Sequence, residues 1–309
     1  MKLLLTGASG LLGRALFPKL SRRDDLAITA VAYSRAAPPL VKADIRDPEA
    51  IERLFAAAKP DFVVHAAAER RPDVVDKDPA QARALNVAAT EAMAAACARH
   101  GAFLLYISTD YVFDGTNPPY YPDSPVHPIN EYGIMKLEGE RRVAEILGGG
   151  AAPRAAALRI PILYGPVERL EESSVSELAL LLKRREPCAV EHWASRYPAH
   201  VDDISAAIEK IIDAYAARSP ALAAPGPGKL PTFQLSGPRP FTKYQMLMSM
   251  ARSLDMDASF ARPNAAPPAG APRPKDCRMD TAALASLGYR PAVDFDEAIG
   301  RVIAPFFKA

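Results

Sequence analysis

Thr6-Gly7-Ala8-Ser9-Gly10-Leu11-Leu12-Gly13 (TGASGLLG, residues 6–13) is the stretch that decides the fold. The apolar run Lys2 to Thr6 before it reads as a buried strand, and Leu11 to Leu20 after it has helical spacing. Glycines between a strand and a helix let a pyrophosphate approach the free amides of a helix N-terminus. Such turns also close ordinary hairpins, and it is the strand-then-helix context that favours a dinucleotide. Thr6, Gly7, Gly10, Leu11, Leu12, Gly13 and Arg14 are the candidate contacts within it.

Outward from this turn the pattern alternates. Strands are predicted over Leu26 to Tyr33, Asp61 to His65, Phe103 to Ser108 and Ala155 to Ile160. Helices are predicted over Pro48 to Ala57, from the Asp78-Pro79 start to Arg99, and over Asn130 to Leu147. Strand and helix in this rhythm give an α/β fold with a doubly wound parallel sheet, its ligands beyond the carboxyl ends of the strands. In the less regular second half, Ser174 and Glu177 read as a capping box, and Asp202-Asp203 as the cap of a helix to about Ala217. Residues 219–231 and 263–274 are Pro-rich and read as surface connections.

The end of the second strand selects the dinucleotide. An acid there would accept from a ribose 2′-hydroxyl, whereas a cation would accept a 2′-phosphate. Tyr33-Ser34-Arg35 carries no acid, so Ser34 and Arg35, with Arg14, point to NADP(H); the bland alternative is that Arg35 is a solvated loop charge.

Tyr132 and Lys136 lie four apart on a predicted helix and share a face. A phenol titrates near about 10, and a neighbouring ammonium lowers that value toward useful acid–base chemistry. Y-x-x-x-K alone also occurs on surface helices. Here Ser108-Thr109-Asp110 closes a strand, where a hydroxyl can hold a carbonyl oxygen while Tyr132 supplies a proton.

Taken together, the glycine turn, the strand-end Ser-Thr and Y-x-x-x-K resemble the extended short-chain dehydrogenase/reductase family, and STDYVFDGT and YGIMK are similar to its dTDP-4-dehydrorhamnose reductases. AAERRPDVV (67–75), YISTDYVFDGTNPPY (106–120), LRIPILYG with VERLEES (158–173) and HWASRYPAHVDD (192–203) resemble the regulatory β subunits of methionine adenosyltransferases. So do SG…TKY (236–244) and RP (273–274). The resemblance implies a Rossmann-type domain over 1–165, completed by about 197–235, and a smaller α/β lobe from 166–196 and 236–309. It implies a triad of Thr109, Tyr132 and Lys136, with Asp44-Ile45 flanking adenine and Ala66, Ala67 and Ala68 beside pyrophosphate and ribose. It further makes Asn86 the active-site Asn, puts Pro161-Ile162 at the carboxamide, and places Trp193 and Arg196 in a substrate pocket.

Two functions follow from the resemblance. One is a regulatory, NADP(H)-binding partner of a methionine adenosyltransferase catalytic subunit. The other is an NADPH-dependent reductase of a 4-keto nucleotide-sugar. Whether the chain turns over a substrate stays open between them. The β subunits dock through a tail beyond their last helix, whereas this sequence stops at APFFKA, so the expectation is docking through another surface or no partnership.

Other residues carry weaker signals. Arg70 and Arg71 follow a strand end and read equally as substrate-facing or as solvated loop charges. His65 reads as a satisfied core imidazole. Composition narrows the classes: 309 residues suffice for one large α/β unit or two lobes, and 49% hydrophobic residues permit a sizeable core. A net charge of +2 without blocks of like charge gives no footprint for nucleic acid. No stretch reaches the roughly 18 apolar residues of a membrane span. Cys97, Cys188 and Cys277 are scattered and odd in number, which fits neither a disulfide framework nor zinc; a cytoplasmic protein without metal is expected.

Overall fold

A computed structural model describes residues 1–148, 154–223, 225–226 and 228–307. Positions 224 and 227 of the 219–231 connection, and the last two residues of APFFKA, lie outside these. Seven parallel strands form the central sheet: β1 (Lys2–Thr6), β2 (Ala27–Ala32), β3 (Val41–Lys42), β4 (Phe62–His65), β5 (Phe103–Thr109), β6 (Ala155–Ile160) and an edge strand, Thr232–Gln234. Across the sheet the order is edge strand, β6, β5, β4, β1, β2, β3. The chain therefore winds outward from β1 in one direction, then crosses back and winds outward in the other. The reversal falls between β1 and β4, where Thr6 lies beside His65, and a crevice opens beyond their carboxyl ends.

Side chains alternate between the two sheet faces, and each face has its own core. Leu3 and Leu5 of β1 join Leu12, Leu16 and Leu20 of α1 (Leu11–Leu20) and Ile204, Ile208 and Ile211 of the helix Val201–Ala216. Leu4 points the other way, into a layer with Leu54 and Phe55 of α2 (Pro48–Ala58), Met93 of Ala89–His100 and Val143 of Glu131–Leu147. A third core, outside the sheet, packs Leu182, Met246, Met250, Phe295 and Ile299 around Tyr164. Each fully buried Leu or Ile stabilises by roughly 1.5–3 kcal/mol, against about 0–1 for an exposed ion pair, so these cores hold the fold.

Several sequence readings need correction. The long helix from Asp78 is interrupted: Pro79–Arg83 leads into a π-turn, Ala84–Ala88, before Ala89–His100. A short helix, Pro72–Lys77, precedes it. No Ser174–Glu177 capping box forms; Val175 precedes the turn Ser176–Leu178 without a side-chain cap, and Ser173 Oγ instead accepts from Val175 N–H at 3.1 Å. The helix Val201–Ala216 is capped by His200, whose Nδ1 accepts from Asp202 N–H at 3.2 Å. Asp203 is free of that task and accepts from the N–H groups of Ala292 (2.9 Å) and Val293 (3.2 Å). The 263–274 segment is more than a surface connection, since Ala271 is buried and Arg273 reaches the central crevice.

Candidate functional site

Gly7 has φ +73°, a left-handed conformation open to glycine. A Cβ there would lie 2.8 Å from Ala67 N, and one on Gly13 would lie 2.3 Å from Gly7 O. Only bare backbone permits this packing, and Leu11, Leu12 and Gly13 at the start of α1 line the crevice beside it. Thr6 does not reach it. Its Oγ1 is 2.8 Å from His65 Nδ1 in the core, while His65 Nε2 is 3.1 Å from Thr90 Oγ1. Burial pushes the His65 imidazole down to about 3, so it stays neutral, as a satisfied core histidine should.

The crevice is a cavity of about 390 Å³. It is lined by Gly7, Gly10, Leu11, Leu12 and Gly13 of the glycine turn, by Ala66 and Ala68 after β4, and by Pro161 and Ile162 after β6. Thr109, Tyr132 and Lys136 all line it, although they come from β5 and the helix Glu131–Leu147. Asn130 caps that helix, accepting from Gly133 N–H at 2.8 Å, and so fixes where Tyr132 emerges. Thr109 Oγ1 donates to Asp110 Oδ1 at 3.0 Å and accepts from Tyr111 N–H at 3.2 Å. Ser108 Oγ, also on the cavity wall, is buried with no hydrogen-bond partner among the described residues. A cradle that any Cβ would fill, together with an orphaned hydroxyl, suits a dinucleotide pyrophosphate and a polar ring beyond it.

The electrostatics differ from the sequence expectation. Burial raises the Tyr132 phenol well above its ordinary value; the Thr109 hydrogen bond and the charge of Arg70 oppose this. The lowering expected from Lys136 does not emerge: desolvation dominates, and Thr109 and Arg70 are the groups that oppose it. Lys136 is itself pushed down to about 7 by burial, against the charge of Glu140, and its Nζ lies 3.9 Å above the Tyr106 ring. Asp110 is pushed up to about 7 by burial, opposed by the Thr109 hydrogen bond and Arg196.

Besides Lys136, five cations line the cavity: Arg70, Arg71 (paired with Glu69 at 3.2 Å), Arg196, Lys243 and Arg273. Arg196 pairs with Glu191 at 2.6 Å, Arg273 with Asp73 at 2.6 Å, and Arg70 donates to the Glu172 carbonyl. Trp193 lies off this lining: its backbone N–H is held by Glu191 at 2.6 Å and its ring faces Lys275. Asn86 is spent on backbone, donating to Glu69 O and accepting from Glu69 N–H, both at 2.9 Å. Asp44 is held by Arg46 at 2.7 Å, Ile45 is buried in a sheet core, and Ala67 N–H approaches Thr6 Oγ1 at 3.4 Å. Ser34 is exposed beside the turn. Arg14 and Arg35 converge on the Ser9 carbonyl at 3.0 and 2.7 Å. Asp110, Lys243, Arg273 and the acidic residues near 172 all fall in stretches the sequence marks (Ser108-Thr109-Asp110, TKY, RP and VERLEES), but the sequence assigns none of them a role in the site.

Among the described residues no helix is long and apolar enough to cross a membrane, and no group of three or more His, Cys, Asp or Glu is placed to hold a metal. Residues 1–307 match the family described as RmlD substrate binding domain. The chain is 38% identical over 307 residues to methionine adenosyltransferase 2 subunit beta of Rattus norvegicus, covering 99% of this chain and 88% of that protein. A solved dTDP-4-dehydrorhamnose reductase from Clostridium acetobutylicum superposes with a TM-score of 0.81 at 25% identity, covering 100% of both chains. The same enzyme from Bacillus anthracis, solved in complex with NADP, superposes at 0.80 with 25% identity and 99% of each chain covered.

Proposed function

Since the chain belongs to the RmlD substrate-binding-domain family, we propose that it is an NADP(H)-binding regulatory β-type subunit acting with a methionine adenosyltransferase catalytic subunit in S-adenosylmethionine synthesis. The observation that carries this reading is 38% identity over 307 residues, 99% of the chain, which takes in the glycine turn, the triad and the third core alike. In this reading the turn at Gly7, Gly10 and Gly13 takes the pyrophosphate, and Arg14 and Arg35 attend the ribose 2′-phosphate. Lys136 and Tyr132 hold the nicotinamide ribose, with Pro161-Ile162 beside the carboxamide. Residues 1–165 with about 197–235 form the cofactor domain, and 166–196 with 236–309 the smaller lobe, from which Leu284 and Tyr289 pack back onto the sheet, in a cytoplasmic protein. Co-purification with a methionine adenosyltransferase, and its synthesis rate with and without this chain, test the reading. An altered rate or half-life is expected; no association and no effect would remove it.

The intact triad favours a second reading, an NADPH-dependent reductase of a 4-keto nucleotide-sugar. Bound NADPH supplies hydride. Thr109 positions the carbonyl oxygen, Tyr132 delivers the proton to that oxygen, and Lys136 steadies the ribose while stabilising the phenolate left behind. Arg70, Arg71, Arg196, Lys243 and Arg273 offer this cavity guanidinium and ammonium donors that suit a diphosphate. NADPH oxidation with dTDP-4-keto-rhamnose tests it. Tyr132→Phe should abolish turnover while leaving NADPH binding within a few-fold, and undiminished turnover would remove the assigned role.

A further inference from the structure

Arg14 and Arg35 already share an anion supplied by the protein. Arg14 Nη2 reaches Glu172 Oε2 at 2.5 Å, and Arg35 Nη1 reaches Glu172 Oε1 at 2.6 Å, so one carboxylate bridges two guanidinium groups. Both arginines are also tied to the Ser9 carbonyl, which anchors them on the rim of the glycine turn. The Glu172 side chain is only 8% exposed. Burial opposes its ionisation, but hydrogen bonds from Arg14, the Glu168 backbone and Arg35 outweigh burial and hold the carboxyl below its ordinary range. Glu168 adds a weaker charge, 3.3 Å from Arg35 and 3.7 Å from Arg14. The acid that is missing from the end of β2 has thus arrived from elsewhere in the chain, on the turn Leu170–Glu172.

We infer that Glu172 is a specificity-determining residue for the dinucleotide: it occupies the arginine pair as a built-in counter-anion that a 2′-phosphate must displace and to which a 2′-hydroxyl can donate. This rests on the NADP(H) reading above. A phosphate outcompetes a carboxylate for two guanidiniums, having more charge and a third acceptor oxygen, but part of its gain offsets the loss of Glu172. An NADH ribose keeps the Arg–Glu–Arg bridge intact and gains a hydrogen bond to it. Discrimination, as a difference of two affinities, is therefore narrower than the arginines alone would give. Displacement also has a structural correlate. The Glu172 carbonyl accepts from Arg70, and Glu171, Ser174 and Glu177 line the outer cavity, so the phosphate form loosens this segment while the hydroxyl form does not.

Dissociation constants for NADPH and NADH, from nicotinamide fluorescence titration of the full chain, provide the test, with hydrogen exchange over residues 166–177 as a second readout. In Glu172→Gln the preference for NADPH over NADH should rise by about tenfold or more, chiefly through tighter NADPH binding, because the neutral amide no longer competes. Glu172→Asp, one methylene short of the pair, should fall between the two. In the wild type, NADPH should speed exchange in 166–177 and NADH should not. A preference unchanged within about twofold in both variants, with the exchange pattern the same for the two nucleotides, overturns the assignment of Glu172 while leaving the cofactor reading in place. Binding of neither nucleotide by the wild type overturns the cofactor reading itself.

Discussion

Asp110 stands between the Thr109 hydroxyl and the charge of Arg196, and its carboxyl is pushed up to about 7 by burial. In the unfolded chain it titrates near about 3.9, so between these values the folded state holds the extra proton. Asp110 therefore favours the fold at low pH, and this contribution is lost as pH rises through about 7. Asn cannot ionise, so the melting temperature of Asp110→Asn relative to wild type should rise between pH 5 and pH 8.5. Thermal melts across that range check the sign; a constant difference would mean that Asp110 titrates normally. Gly7, Gly10, Gly13, Tyr132 and Lys136 were legible because their chemistry depends on local spacing. Glu172 was not, because its meaning lies in two arginines 158 and 137 positions away in the chain.

At the scale of elements, the π-turn Ala84–Ala88 carries Asn86 across to Glu69, next to the cavity residue Arg70. Losing the amide would leave a backbone donor and acceptor without their partner, at roughly 1–3 kcal/mol for each buried group. Asn86→Ala should lower stability by about that much and weaken NADPH binding by displacing residues 68–70. Asn86→Asp keeps the acceptor for Glu69 N–H but has no donor for Glu69 O, so it should recover part of the loss. Urea midpoints and NADPH titrations on both variants measure this, and equal behaviour of Ala and Asp would show that the two bonds matter little. The π-turn was invisible in ALNVA because those residues suit a regular helix, and the contact of Asn86 lies 17 positions away at Glu69. The two-residue strand Val41–Lys42 is too short for any alternation to show, and His200 as a cap departs from the usual Ser, Thr, Asp or Asn. Long apolar strands such as FLLYIST, buried at every position, were read to within a residue or two.

Across the whole molecule the cores are interleaved in sequence. Met246 and Met250 belong to the third core, Leu284 and Tyr289 return to the sheet, and Phe295 and Ile299 go back to the third core. Asp203 fastens this last crossing through the amides of Ala292 and Val293. Neither core can come apart alone without pulling segments out of the other. Urea unfolding followed by Trp193 fluorescence and by far-UV circular dichroism should therefore give coincident midpoints. Separated transitions would show that the two cores unfold independently. The sheet-forming half was legible because its elements alternate; the interleaving was not, because it is a property of packing between segments with no shared periodicity.

The sheet order also has a consequence during synthesis. β6 is complete at Ile160, but the strand that covers its outer side begins only at Thr232. On a ribosome adding about 5–20 residues per second, the intervening chain takes roughly 4 to 14 s to appear. For that interval AAALRI presents a row of open backbone donors and acceptors on a strand whose side chains are all apolar except Arg159. The nascent protein is then most exposed to pairing with a neighbour on the same message, and holding chaperones would have their greatest effect in that window.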